Sequence, residues 1–433
     1  MFPKFYNYKL DNGIQIVLIP IPNTNNIATS LTFDIGYLEE TQKEDGLAHL
    51  TEHIISRFIT NYTKVKEIKS KGHYVYTNAH TNHFKTDYHI YSLKKNLTDI
   101  LDSYLTLYDF NRTDSNMFYK EMGAVIVELK QIISNKDKYV FYKNMPELVF
   151  GKSGIMVNDP VSEIKNLLQI GECDLISFVR KYYTPTNSVI TIAGDFNKTS
   201  ILKYLKSKFE PLDSGIKRHK RILKIPNSTN PKYNFEVSTS SKLNNLYLNF
   251  IFPSNKNNKS LAILHILKKI LVELNDSSIL FDRLRTKLGV IYSPSIKKYI
   301  NKHYGILSIN YNIETKNYEK GFEELINILN ELKKDNIDEN LFNLAKNKIM
   351  YEINLAQNDK TPKEFLYLTN HVLSNKDLLN PLEFYNKYTK HITLNDIRKW
   401  CRGVFVKNNS YLCIVGAKDE FKDFSIKHMK RLN

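Results

Sequence analysis

The 433-residue chain is predicted to be an α+β protein of two similar domains, each a mixed, largely antiparallel sheet covered by helices. Three observations lead there. The length exceeds what one core comfortably serves. β-prone runs alternate with segments of helical apolar spacing in both halves. The late run of the first half, "NSVITIAGDF", has a counterpart in "NSYLCIVGAKDEF" near the C-terminus, which suggests an internal duplication with a period of about 210 residues.

Taken in order, "YKLDNGIQIVLIPIP" reads as two strands around Asn12-Gly13, a two-residue hairpin signal because both residues tolerate positive φ. A further strand, "IATSLTFDIG", precedes "AHLTEHII" (Ala48 to Ile55), where Gly46 opens a helical stripe that continues through Phe58. "HYVYTNAHTNHFKTDYHIYSL" (His73 to Leu93) reads as a strand pair, and "NLTDILDSYLTLYDF" (Asn96 to Phe110) returns to helix. Ser115 to Asp137 is a second long helix with a serine N-cap candidate. The strand "SVITIAGDF" and helix "TSILKYLKSKF" close the first domain, residues 1–212. Pro, Gly, Ser, Asn and charge without periodicity mark 213–232 as a linker, and 233–433 repeats the outline as a C-terminal homologous domain.

Composition narrows the function. At 42% hydrophobic and 25% charged the chain reads as an ordinary soluble protein; it shows no secretory or transit signal and no run of roughly 18 apolar residues. These features predict a cytoplasmic protein that does not insert in membranes. Three cysteines without CxxC spacing, Cys173, Cys401 and Cys413, are expected to be reduced core thiols. The formal charge of +17 would attract anionic partners, yet the chain is rich in Lys, Asn, Ile and Tyr, as AT-rich coding produces. Its densest basic run, "GIKRHKRILK" (Gly215 to Lys224), lacks the interleaved aromatics of a nucleic-acid surface, so no nucleic-acid partner is expected.

The chemistry concentrates at His49, Glu52 and His53. Histidines at i and i+4 present imidazoles from successive helical turns to one cation, with the glutamate beside them: the H-x-x-E-H arrangement. Chance would produce it in roughly 2% of such chains, where it would be a plain amphipathic helix. A catalytic zinc needs a third protein ligand.

"GYLEETQKEDGLAHLTEH", "TNAHTNHFKTDYHIYSL", "EMGAVIVELKQ", "YYTPTNSVITIAGDF" and "LFDRLRTKLGVIYS" together, in order and spacing, resemble the pitrilysin, insulinase and mitochondrial processing peptidase family of zinc proteases over nearly the whole chain. The resemblance implies one zinc per chain, with His49 and His53 as ligands and Glu52 as the general base. It makes Glu128 the third ligand and Glu121, seven residues earlier on the same helix, its supporting carboxylate; by itself Glu121 would be a solvated helix acid. It gives Arg285 and Tyr292 the task of holding substrate and supporting the transition state; without it they read as a surface cation and a strand aromatic.

"TNAHT" matches the edge that pairs with an extended peptide in the family, so Asn78, Ala79 and His80 are substrate-contact candidates; His80 departs from the family's Tyr or Phe. His83 and His89, without a carboxylate cluster, read as packed or solvated imidazoles. The implied protein is a zinc endopeptidase forming half of a clamshell, as a homodimer or as a heterodimer with a paralogous subunit, that cleaves short or unfolded peptides, acidic ones being favoured by its charge. Precursor or leader-peptide processing fits that description. The alternative is a non-catalytic scaffold or partner subunit of the same fold.

Overall fold

A computed structural model describes residues 1–152, 156–218, 223, 228–238, 243–253, 258–301, 303–334, 337–359, 361–374 and 376–432. The chain forms two compact units, neither continuous in sequence: 1–131, 159–221 and 357–378 make the first, and 132–158, 222–356 and 379–433 the second. Relative to the expected linear division, 132–158 and 357–378 each group with the other half. Part of the 213–232 segment, and with it His219 to Ile222 and Lys224 of the basic run, lies outside the described residues.

The first unit holds strands β1 (Tyr6–Lys9), β2 (Gln15–Pro20), β3 (Asn26–Phe33), β4 (Val75–Thr81), β5 (Thr86–Leu93) and β6 (Ser188–Gly194), in the order β1-β2-β6-β3-β5-β4. Only β2 and β6 run parallel. The second unit holds β7 (Lys232–Val237), β8 (Leu243–Pro253), β9 (Ser295–Ile300), β10 (Tyr304–Glu314) and β11 (Ser410–Gly416), ordered β7-β11-β8-β10-β9. There too a single pair, β7 with β11, is parallel. Apart from the extra β1, the two orders are the same, which is the duplication the matching strand ends suggested. Strand β7 escaped the sequence reading because it begins inside the residues read as linker.

The first turn differs in detail from the expected hairpin. Leu10 and Ile14 close a three-residue loop in which Gly13 alone has positive φ, at 100°. Asn12 is committed elsewhere: its amide donates to the Phe209 carbonyl at 2.6 Å and its Oδ1 accepts from Ile14 N–H.

Helices α1 (Leu47–Asn61), α2 (Thr63–Ser70), α3 (Leu97–Leu105) and α4 (Ser115–Ser134) belong to the first unit, α4 through Gln131. Thr60 on α1 meets Thr77 on β4, and Tyr104 on α3 meets Thr29 on β3, so these helices cover one face of the sheet. The opposite face, with Val17, Ile19, Val189 and Ala193, is covered by Phe365, Leu368 and Val372 from the 357–378 segment. Thr369 adds hydrogen bonds to Thr191 at 2.6 Å and Ser30 at 3.4 Å. Burial on both faces explains why β6 is a continuous run without alternation.

Among the described residues no helix is long and apolar enough to cross a membrane. Cys401 and Cys413 are buried, and burial pushes both thiols well up; Cys173, expected in the core, instead lies exposed in the first turn of the helix Glu172–Tyr182. Arg218, one cation of the basic run, is buried and paired with Asp34 at 3.0 Å and with Glu39, so it serves the fold and not a surface.

Candidate metal centre

Helix α1 begins at Gly46, whose φ of 91° suits a residue without a side chain. Glu40 caps it, accepting from Ala48 N–H at 2.6 Å and Gly46 N–H at 3.3 Å. With that start fixed, His49 and His53 project from successive turns, their rings edge-to-face with centroids 5.1 Å apart. Glu128, from α4, brings one carboxylate oxygen to 3.7 Å from Nε2 of both histidines.

The ligand atoms of His49, His53 and Glu128 lie within 4.8 Å of one another, the one such grouping among the described residues. Two imidazole nitrogens and a carboxylate are the donor set of catalytic zinc, and their separations need only a small contraction to meet bonds of about 2.0–2.2 Å. The electrostatics agree. Burial by itself would lower the His49 pKa, but Glu128, Glu163 and Glu52 outweigh it and hold it up at about 10. The facing imidazoles of His49 and His53 hold Glu128 well below the usual carboxylate range. The carboxylates Glu52, Glu128 and Glu163 around the imidazoles thus favour positive charge at this point.

Both imidazoles turn Nε2 toward Glu128 and Nδ1 toward another carboxylate. Glu121 Oε2 lies 3.4 Å from His53 Nδ1 and Glu163 Oε1 lies 3.3 Å from His49 Nδ1. Glu121 is only 4% exposed, so it is not the solvated helix acid that its residue type alone suggests. Glu163 was missed by sequence reasoning. Its signal is an acid within the buried stripe Pro160, Glu163, Leu167 of the helix Pro160–Leu167. Carboxylates in these positions fix the ring orientation and tautomer of a metal-binding histidine.

Glu52 sits half-buried beside the pair and forms no hydrogen bond or ion pair among the described residues. Asn78, Ala79 and His80 lie on β4, an edge strand whose single sheet neighbour among the described residues is β5. Asn78 and His80 are exposed there, next to Tyr76, which stacks on Tyr91 at 5.3 Å. His89 pairs with Asp87, which Lys85 also neutralises. Burial would raise the Asp87 pKa, but the hydrogen bond from His89 and the charge of Lys85 lower it to about 2. His83 stacks edge-on against Tyr37 at 5.6 Å. Both histidines are therefore packed groups, as the sequence suggests.

Arg285 and Tyr292 belong to the second unit. The structure brings them together: the guanidinium lies 5.0 Å from the Tyr292 ring centroid and 4.4 Å from that of Phe281. Arg285 projects from the π-helical turn Phe281–Lys287, anchored by Arg283 to Glu324 at 2.5 Å and to Glu331. Wide turns of this kind recur where a side chain must be aimed. Tyr292 is 79% exposed and precedes β9, so it is an exposed loop aromatic and not a strand residue.

Residues 15–150 match the family model described as insulinase (peptidase family M16), and residues 172–349 match the one described as peptidase M16 inactive domain. The chain is 25% identical over 308 residues to an uncharacterized zinc protease of Rickettsia bellii, covering 68% of this chain and 69% of that protein. It is 26% identical over 204 residues to the mitochondrial-processing peptidase subunit beta of Saccharomyces cerevisiae, covering 46% of this chain and only 43% of that subunit. The crystal structure of a protease from Helicobacter pylori superposes with a TM-score of 0.82 at 19% identity, over 96% of this chain and all of that one.

Proposed function

Because the chain belongs to the insulinase family of peptidases, family M16, we propose that it is a zinc-dependent endopeptidase cleaving short or unfolded peptides. The observation that carries this reading is the convergence of His49, His53 and Glu128 with Glu52 beside them. Zinc held by those three residues would polarise the scissile carbonyl and acidify the attacking water.

The chain's own groups do the rest. Glu121 and Glu163 keep the imidazoles aimed. Glu52 accepts the proton of the attacking water and delivers it to the leaving amine. The free edge of β4 takes the peptide as an added strand through the backbone of Asn78, Ala79 and His80, reading extended shape before side chains. Arg285 and Tyr292 hold the substrate and support charge developing on the carbonyl oxygen.

We place that pair opposite the zinc-bearing unit of a second copy, in a homodimer whose halves enclose a chamber; a paralogous subunit would serve equally as partner. Arg285→Ala should then lower kcat/KM by about 10²-fold with zinc content unchanged, since a lost transition-state donor costs that order. An unaltered rate would remove the role.

The surplus positive charge favours acidic peptides, such as leader segments of precursors, and the cytoplasm is the compartment we assign, which cell fractionation checks. The direct test is digestion of a peptide library read by mass spectrometry. Cleavage that stops with a chelator and returns with zinc, faster for acidic peptides at low salt, is the expected result. No cleavage by zinc-loaded protein would leave the scaffold reading. Equal rates for acidic and basic peptides at every ionic strength would remove the charge preference alone.

A further inference from the structure

We propose that Arg57 is a positioning residue for the ligand His53, acting through Glu121; the proposal rests on the zinc-peptidase reading above. Arg57 follows His53 by four residues and so stands one turn further along the same face of α1. Its Nε donates to Glu121 Oε1 at 2.7 Å, while the other oxygen, Oε2, faces His53 Nδ1 at 3.4 Å. One buried carboxylate therefore bridges a guanidinium and a ligand imidazole, each through its own oxygen.

A glutamate bonded through one oxygen can turn about its side-chain torsions. The guanidinium holds the second oxygen and thereby keeps the first on Nδ1. That contact leaves Nε2, the nitrogen facing Glu128, free for the cation. The arrangement also ties α1 to α4, the helix that carries both Glu121 and the third ligand.

His49 is held differently. Its carboxylate partner, Glu163, has the acids Glu40 and Asp45 for electrostatic neighbours and lies in a separate helix. The arginine clamp thus belongs to the His53 side of the site. Since the Arg57 side chain is 57% exposed, its truncation opens no cavity in the core.

The test uses zinc alone, with affinity read by competition against a chromogenic chelator. Arg57→Met should bind zinc about 10–100-fold more weakly than wild type, the usual cost of losing an outer-shell partner, while the circular dichroism of the metal-free protein is unchanged. Arg57→Leu is a second neutral variant without a donor, with the same expected result should the methionine variant aggregate. Arg57→Lys, which keeps a charged donor for a single bond, should recover most of the loss.

In a Glu121→Gln background, Arg57→Met should shift affinity by less than about twofold, because the path through Glu121 is already broken. Wild-type affinity in the neutral variants, with about one zinc bound per wild-type chain, overturns the proposal and leaves the peptidase reading standing. A full Arg57→Met effect in the Glu121→Gln background overturns the path through Glu121. A wild type that takes no zinc overturns both readings.

Discussion

Glu52→Gln is expected to bind zinc as the wild type does and to lose about 10²–10⁴-fold in kcat, the range a general base contributes. The substitution keeps the side chain's size while removing its ability to accept a proton. Glu52 precedes His53 by one residue and makes no hydrogen bond or ion pair among the described residues, so no scaffold contact is lost with the charge. Elemental analysis and steady-state kinetics on the same preparation separate the two effects. Full activity would refute the assigned base, and loss of zinc would turn Glu52 into a residue that supports the ligands.

His53→Ala should abolish metal binding: about one zinc per chain in the wild type and close to none in the variant, by elemental analysis. Two of three ligands remain, and Glu121 and Arg57 are left facing a gap. Because metal that binds only the folded form stabilises it by mass action, added zinc should raise the Tm of the wild type and not of the variant. A wild type without zinc after reconstitution would make this a plain helix and move the function to the scaffold reading.

The legibility of the site follows the range of the interactions. His49, Glu52 and His53 share one helix, so the i, i+3, i+4 geometry alone places them together. Glu128 lies on another helix, and its approach to both imidazoles is non-local; the resemblance pointed to it, and the distances of 3.7 Å agree. Glu121 was chosen by the same route, but its burial and its bonds to His53 and Arg57 emerged only in three dimensions. Glu163 stands more than a hundred residues from His49 and its one trace in the sequence is an acid where an apolar residue would pack.

By itself the sequence determined the alternation of strands and helices and the histidine pair, because periodicity and turn chemistry act between neighbours in the chain, and it suggested the duplication that the strand orders share. In the folded sheet Val17, Ile19, Val189 and Ala193 form an apolar face. What covers that face is a different kind of fact. Phe365, Leu368 and Val372 come from a segment more than 150 residues beyond β6, and no local pattern states where such a segment will pack. Tertiary structure likewise decided that the Asn12 amide caps a distant helix, that Arg218 sits inside between two acids, and that Glu163 and Glu121 stand behind the ligands. In each case a polar or apolar group needed a partner on burial, and only the folded chain supplied its identity.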